Sequence, residues 1–243
     1  MRATPEPAAV GVVLAAGMGT RVGADGNKAY LPLAGRSMVS WSVAAVAGSA
    51  NIARTVLVFR RGERDLAART LATELPDTAV ELVEGGDTRH GSEENVLRHL
   101  APDIESGAVD VVLIHDAARP LAGPTMMDTA LTTARAFGGA IPVLPATDIV
   151  KTDVDGRLSR ADGTLVRVQT PQAFRADPLL AAYRLAEGDS FEGTDTASCV
   201  QNFTDVEVRV FSGAATNLKV TFAHDVRLAE RLLLDRISRD GTR

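Results

Sequence analysis

Short apolar runs alternate with segments of helical period along most of this chain. Val10–Ala15 is β-branched and uncharged, the pattern of a strand covered on both faces. Ser37 can cap a helix in which Val39, Val43 and Val46 share one face. Arg54–Phe59 reads as a second strand and "ERDLAARTLATEL" as a second helix. Val80–Val83 is a short strand that ends at "EGGDTRHGSEEN", after which a helix follows. Val109–Ile114 is another buried strand and ends at "HDAARP". Thr125–Phe137 has helical period, and "GGAIPVLPA" returns as a strand. Strand–helix units of this length predict an α/β fold, with a mostly parallel sheet and right-handed crossovers.

The pattern changes after Pro145. Asp155-Gly156 is a strong hairpin signal between two extended segments, and a second Asp-Gly follows at 162–163. The segment at about 146–170 therefore reads as a β-arm inserted into one domain spanning residues 1–243. Its exposed edges need a partner, which points to a homodimer. "DVEVRVF" alternates as a half-buried strand, and "HDVRLAERLLLDRI" closes the chain as an amphipathic helix.

Composition narrows the function classes. The 243 residues are 45% hydrophobic and 23% charged, with a net charge of -5. An acidic chain with 4% aromatics binds neither nucleic acid nor an anionic membrane through a general field. An anionic substrate must instead meet a local cluster of positive charge. The one cysteine, Cys199, permits no intramolecular disulfide and reads as a small buried apolar residue. "MRATPEPAAV" is not a secretory signal, and no apolar window reaches the length of a membrane span, so a cytoplasmic setting is expected.

The polar, glycine-rich segments fall where strands end, which is where open α/β sheets bind ligands. In "AAGMGTR", Gly17 and Gly19 let backbone N–H groups approach an anion, and Arg21 and Lys28 add two positive charges suited to a polyphosphate. A glycine-rich turn with surface charges is the plainer alternative. No Walker A sequence is present, and Val22 stands where a dinucleotide fingerprint needs its third glycine. Asp116 in "HDAARP" emerges from a buried strand as a natural Mg²⁺ ligand beside a triphosphate, and Arg119 could clamp a second anion. An ordinary Asp–Arg surface pair is the alternative there. His115 reads as structural. In "GGDTRHGS", backbone amides and Ser92 could read the edge of a nucleobase. Lys219 sits in "NLKVT", an otherwise apolar stretch read as a late strand, where it needs an anionic partner if covered. "QTPQAF" and "TDTAS" read as polar loops walling a small-molecule pocket. The four histidines lack zinc-binding spacing, and no Ser-His-Asp or Cys-His set is convincing. Cations, one or two acids and glycine loops suit phosphoryl or nucleotidyl transfer.

"LAAGMGTR…NKAYLPLAG", "GGDTR..S", "HDAARP", "QTPQAF", "TDTAS" and "NLKVT..HDVRLAE" occur in that order. Together, over about residues 10 to 235, they resemble the 2-C-methyl-D-erythritol 4-phosphate cytidylyltransferases; ribitol-5-phosphate cytidylyltransferases share most of them. The resemblance implies a Rossmann-like nucleotidyltransferase fold, helices on both faces of the sheet, and a β-arm that makes a homodimer. It implies CTP and a polyol phosphate as substrates, Mg²⁺ as cofactor and pyrophosphate as product. Leu14, Ala15, Ala16, Gly17, Gly19 and Ala117 would hold the nucleotide. Gly86, Asp87 and Ser92 would recognise cytosine. Arg21, Lys28 and Lys219 would stabilise the reacting phosphates, and Asp116 would hold the metal. Arg119, Thr170 and Thr194 would line the polyol-phosphate pocket.

Four positions depart from the family pattern. Asn27 replaces the proline before the loop lysine and is expected to loosen that loop. Ile149 stands where the family has a phosphate-contacting Thr, and Asp162 where it has an arm Arg; Arg160, two residues earlier, is the candidate substitute. Glu93 replaces an apolar residue after Ser92. The nucleotide side thus matches better than the acceptor side. That leaves another acceptor, such as ribitol 5-phosphate, or a nucleotide-binding paralogue without catalysis as alternatives. An NAD(P)-dependent oxidoreductase fits poorly, because the second strand ends "VFRRGERD" and not in the ribose-binding acid.

Overall fold

A computed structural model describes residues 8–17, 26–160, 163–189 and 191–240. The chain opens with β1 (Ala8–Leu14), a 3₁₀ turn at Lys28–Tyr30 and the small hairpin β2 (Pro32–Leu33) and β3 (Arg36–Ser37). Then come α1 (Met38–Ala47), β4 (Ile52–Phe59), α2 (Arg64–Glu74), β5 (Glu81–Glu84), α3 (Arg89–Glu105) and β6 (Val109–Asp116). The central part holds α4 (Pro124–Phe137), β7 (Gly138–Pro145), β8 (Val150–Thr152), β9 (Leu158–Arg160), β10 (Val166–Val168) and β11 (Gln172–Arg175). The chain continues as α5 (Ala176–Asp189), α6 (Thr196–Phe203), β12 (Glu207–Ser212) and α7 (Ala223–Asp240).

The main sheet runs β10-β7-β11-β6-β1-β4-β5, with β12 also paired to β7. β1 is parallel to both β4 and β6, β4 to β5, and β12 to β7. β11 is antiparallel to β6 and β7, and β10 is antiparallel to β7. The sheet is therefore mostly parallel, as the alternating pattern predicts. The expected loop "QTPQAF" proves to carry β11.

Side-chain alternation assigns each face. Ala9 and Val13 of β1, with Leu57 and Leu113, pack beneath α1 and α4, where Val39, Val43, Val46, Met127 and Leu131 are fully buried. Val10 and Val12, with Val56, Val58, Val112 and Ile114, face α3, α5 and α6. Each of these Val, Leu, Ile and Met side chains contributes roughly 1.5–3 kcal/mol on burial. Ser37 caps α1 as expected, its hydroxyl accepting from Ser40 N. Cys199 is fully buried in the second layer.

α7 rests on a third, smaller core made by Leu33, Met38, Ala118, Val220, Ala229 and Leu233. That core brings the segment before α7 against the loop after β6. Past β7, β8 and β9 form a separate two-stranded hairpin. Gly156 turns it at φ +79, and the Asp153 carboxylate accepts from the N–H groups of Asp155 and Arg157. Val166–Val168, expected as part of the arm, instead returns to the main sheet beside β7.

Candidate active site

A cavity of about 320 Å³ opens at the carboxyl ends of β1 and β6. After building β4 and β5 on one side of β1, the chain crosses to β6 on the other, so a crevice must form between the two strand ends. Leu14 and Asp116 are register partners there. Leu14, Ala15, Ala16 and Gly17 form one wall, Gly86, Asp87 and Ser92 another, and Asp116 and Ala117 the base. Lys28 and Lys219 complete the lining. Gly19 and Arg21 lie outside the described residues.

Backbone bonds fix these walls. Ala15 N donates to Val58 O at 2.8 Å, and Ala117 N to Leu14 O at 3.0 Å. A Cβ on Gly86 would fall 2.7 Å from the Gly91 carbonyl carbon, so only glycine lets this loop press against the start of α3. Thr88 caps α3 by accepting from Gly91 N. The Ser92 hydroxyl donates to Thr88 O at 2.8 Å and accepts from Gly86 N at 3.2 Å. Ser92 thus shapes the loop whose backbone faces the cavity.

Charge converges at the base. Lys219 Nζ lies 2.7 Å from Asp116 Oδ2, and Arg89 Nη2 lies 3.5 Å from Asp116 Oδ1. Lys28 Nζ donates to Val220 O at 2.9 Å, so the Lys28 side chain docks on the residue that follows Lys219. Burial pushes the Asp116 carboxyl upward, but Lys219 and Arg89 outweigh it and hold the group well below the usual carboxylate range. Lys219 is not in a strand. Residues 218–220 have no regular secondary structure, Val220 N donates to Ala118 O, and Arg119 Nη1 donates to Asn217 O at 2.7 Å. The segment is held by these bonds in place of a sheet ladder, so its apolar character alone misassigned it.

Arg119, Thr170 and Thr194 are not among the residues that line this cavity. The Thr170 hydroxyl accepts from Asp116 N at 3.0 Å and lies 3.1 Å from His115 Nδ1. His115 Nε2 lies 3.1 Å from Arg119 O, so Nε2 carries the proton and Nδ1 accepts from Thr170. Burial lowers the His115 pKa to about 4, which keeps the ring neutral. His115 is structural, as expected. Thr170 positions Asp116 and does not line the cavity. Arg119 also stands off the cavity wall, its guanidinium turned to the Asn217 carbonyl. Thr194 is exposed just before α6. Arg160 ends β9 opposite Val150, and Asp162 lies outside the described residues. "TDTAS" is not a loop throughout: Asp195 and Ser198 form the capping box that starts α6. Gln172 Nε2 donates to Asp195 Oδ2, and Asn217 Nδ2 to Thr170 O, so three separate motifs hold one another.

Asn27 overturns another expectation. It is buried, and its Nδ2 donates to Ala15 O at 2.7 Å and to Glu63 Oε2 at 2.8 Å. Its Oδ1 accepts from Ala29 N. The residue ties the Lys28 turn to the end of β1 and the start of α2, which stiffens the turn. Sequence reasoning also missed Arg89, which lines the cavity beside Asp116. Its signal was an arginine at the first position of a helix that follows a glycine loop.

Among the described residues no three His, Cys, Asp or Glu side chains converge as a metal cage. A single buried carboxylate at the base of a cavity lined by two lysines fits Mg²⁺ of the kind that takes its remaining ligands from phosphate and water.

The 2-C-methyl-D-erythritol 4-phosphate cytidylyltransferase family model matches residues 9–235. The enzyme of that name from Cereibacter sphaeroides strain KD131 is 40% identical over 91% of this chain and 95% of its own. The 4-diphosphocytidyl-2C-methyl-D-erythritol synthase of Anaerococcus prevotii superposes with a TM-score of 0.82 at 25% identity, covering 94% of this chain and 97% of its own. The 2-C-methyl-D-erythritol 4-phosphate cytidylyltransferase of Thermus thermophilus gives a TM-score of 0.69 at 30% identity, over 92% and 98%. With a cavity of this construction at the switch point of this sheet, the chain belongs to the 2-C-methyl-D-erythritol 4-phosphate cytidylyltransferase family and is a nucleotidyltransferase.

Proposed function

We infer that the protein transfers the cytidylyl group of CTP to 2-C-methyl-D-erythritol 4-phosphate and releases pyrophosphate, a step of isoprenoid precursor synthesis. The convergence of Lys28, Lys219 and Asp116 on one cavity is the observation that carries this reading. The attacking group is a phosphate oxygen, already anionic near neutral pH, so no general base is required. The obstacle is repulsion between that phosphate and the triphosphate. Lys28 and Lys219 oppose this repulsion, and their hold strengthens as the transition state gathers charge. The cavity walls hold the two reactants for in-line displacement. Mg²⁺, held by Asp116 with the phosphates, would supply further charge neutralisation.

The reading includes a homodimer formed through the arm. Val150, Val154 and Leu158 of the hairpin are exposed at 54%, 102% and 71%, an apolar surface that a second copy would cover. It also places the reaction in the cytoplasm; no described helix is long and apolar enough to cross a membrane. Ile149, exposed where the family has Thr, favours a second reading in which another polyol phosphate is the acceptor. The test is pyrophosphate release with CTP, Mg²⁺ and a panel of polyol phosphates. Release with methylerythritol phosphate alone is expected. Release only with ribitol 5-phosphate would select the second reading, and release with none would overturn both.

A further inference from the structure

Glu93 is 1% exposed, yet it carries a carboxylate directly behind the cavity wall. Three side chains from three elements donate to it. Arg89 Nη1 reaches Oε1 at 2.7 Å, the Thr196 hydroxyl reaches Oε1 at 2.5 Å, and the Tyr183 hydroxyl reaches Oε2 at 2.5 Å. The Tyr183 ring is itself stacked on His90 at 4.7 Å. A buried carboxylate without such partners would be strongly unfavourable. Here its oxygens are met, and what it holds most directly is the Arg89 guanidinium.

Arg89 faces two ways. One side of its fork is anchored by Glu93, with Thr196 at 3.4 Å, while Nη2 faces the second oxygen of Asp116. Lys219 occupies the first oxygen of Asp116. The carboxylate is thus flanked by Lys219, beside the Lys28 turn, and by Arg89, beside the start of α6. If Asp116 turns to a metal, Nη2 loses its partner while Glu93 still fixes the rest of the fork. A planar guanidinium held on one side and open on the other is suited to an incoming phosphate.

We propose that Arg89 binds the phosphate of the acceptor and that Glu93 is the positioning residue that presents it, tying α3 to α5 and α6. The proposal rests on the cytidylyl-transfer reading for the identity of the acceptor. It gives the acid at position 93 a role that an apolar residue could not fill.

The experiment measures two constants on Arg89→Ala, Glu93→Gln and the double variant: the KM for methylerythritol phosphate and the Kd for CTP with Mg²⁺. Arg89→Ala should raise the acceptor KM at least tenfold and change the CTP Kd by a clearly smaller factor. Glu93→Gln preserves shape and should raise the acceptor KM roughly threefold to tenfold. The double variant should match Arg89→Ala in acceptor KM, because Glu93 acts on the acceptor through Arg89. Multiplying effects, or a loss confined to CTP affinity, would overturn the proposal. Should Glu93→Gln not fold, Arg89→Lys serves: a lysine cannot hold Glu93 and a phosphate together, so wild-type acceptor KM in that variant would also overturn it. The NMR signal of the Arg89 guanidinium in the unliganded protein separates this proposal from the functional reading. Slow rotation in wild type and fast rotation in Glu93→Gln support the anchoring even if no polyol phosphate turns over. Equal rotation in both contradicts it even if turnover is normal.

Discussion

Lys219 Nζ and Asp116 Oδ2 lie 2.7 Å apart although the residues are 103 positions apart in the chain. Two unrelated structural causes bring them together. Asp116 is placed by the end of β6 and by its N–H bond to Thr170, and Lys219 by the segment that the α7 core presses against Ala118. Neither placement depends on the ion pair, so either partner can be changed without dismantling the site.

Asn27→Ala should remove three hydrogen bonds that fix the Lys28 turn. Loss of the Ala15 and Glu63 bonds leaves a buried carbonyl unpaired, at a cost of about 1–3 kcal/mol. The KM for CTP should rise several-fold while the acceptor KM changes less. Chemical denaturation and steady-state kinetics on one preparation check both; unchanged values would show that the turn does not need its staple.

Acidification should act through His115. Its folded pKa of about 4 lies below the ordinary 6.5, so its contribution is present above pH 6.5 and is lost as the pH falls toward 4. The loss is on the order of 3 kcal/mol for this fully buried ring. Protonation also turns Nδ1 into a donor against the Thr170 hydroxyl, which disturbs the N–H bond that places Asp116. Denaturation of wild type and His115→Gln between pH 7 and 4 checks this. The variant should show the shallower dependence, and parallel curves would contradict it.

The arm offers a test of assembly. Val154→Asp with Leu158→Asp places charge on the two most exposed apolar residues of the hairpin. Sedimentation should show wild type as a dimer and the variant as a monomer with an unchanged far-UV spectrum. A monomeric wild type would remove the arm from the account of assembly.

The sheet was largely legible because buried parallel strands are continuous apolar runs, and β1, β4 and β6 each stand out as one. The Asp155-Gly156 turn was legible for the same local reason. β11 and α6 were not, because "QTPQAF" and "TDTAS" are polar segments whose order comes from long-range bonds such as Gln172 to Asp195. That the Gly17 and Gly86 loops and the two lysines would share one cavity was legible because they sit beside strand ends or in polar segments. The partners of Thr170 and Arg119 were harder to read. The hydroxyl of Thr170 and the guanidinium of Arg119 look available in sequence, yet tertiary contacts turn them to Asp116 N and Asn217 O. Asn27 misled for a similar reason: the partners that make it a staple, Ala15 and Glu63, are distant in sequence.

The central claim is that Lys28 and Lys219 cancel the repulsion between two phosphorylated reactants. Its most direct test is the single-turnover rate of pyrophosphate release from CTP and methylerythritol phosphate, with Mg²⁺ and both substrates saturating, for wild type, Lys28→Ala and Lys219→Ala. Each variant should melt like wild type and release pyrophosphate about 10²–10³-fold more slowly. A folded Lys219→Ala protein that turns over at the wild-type rate would contradict the account.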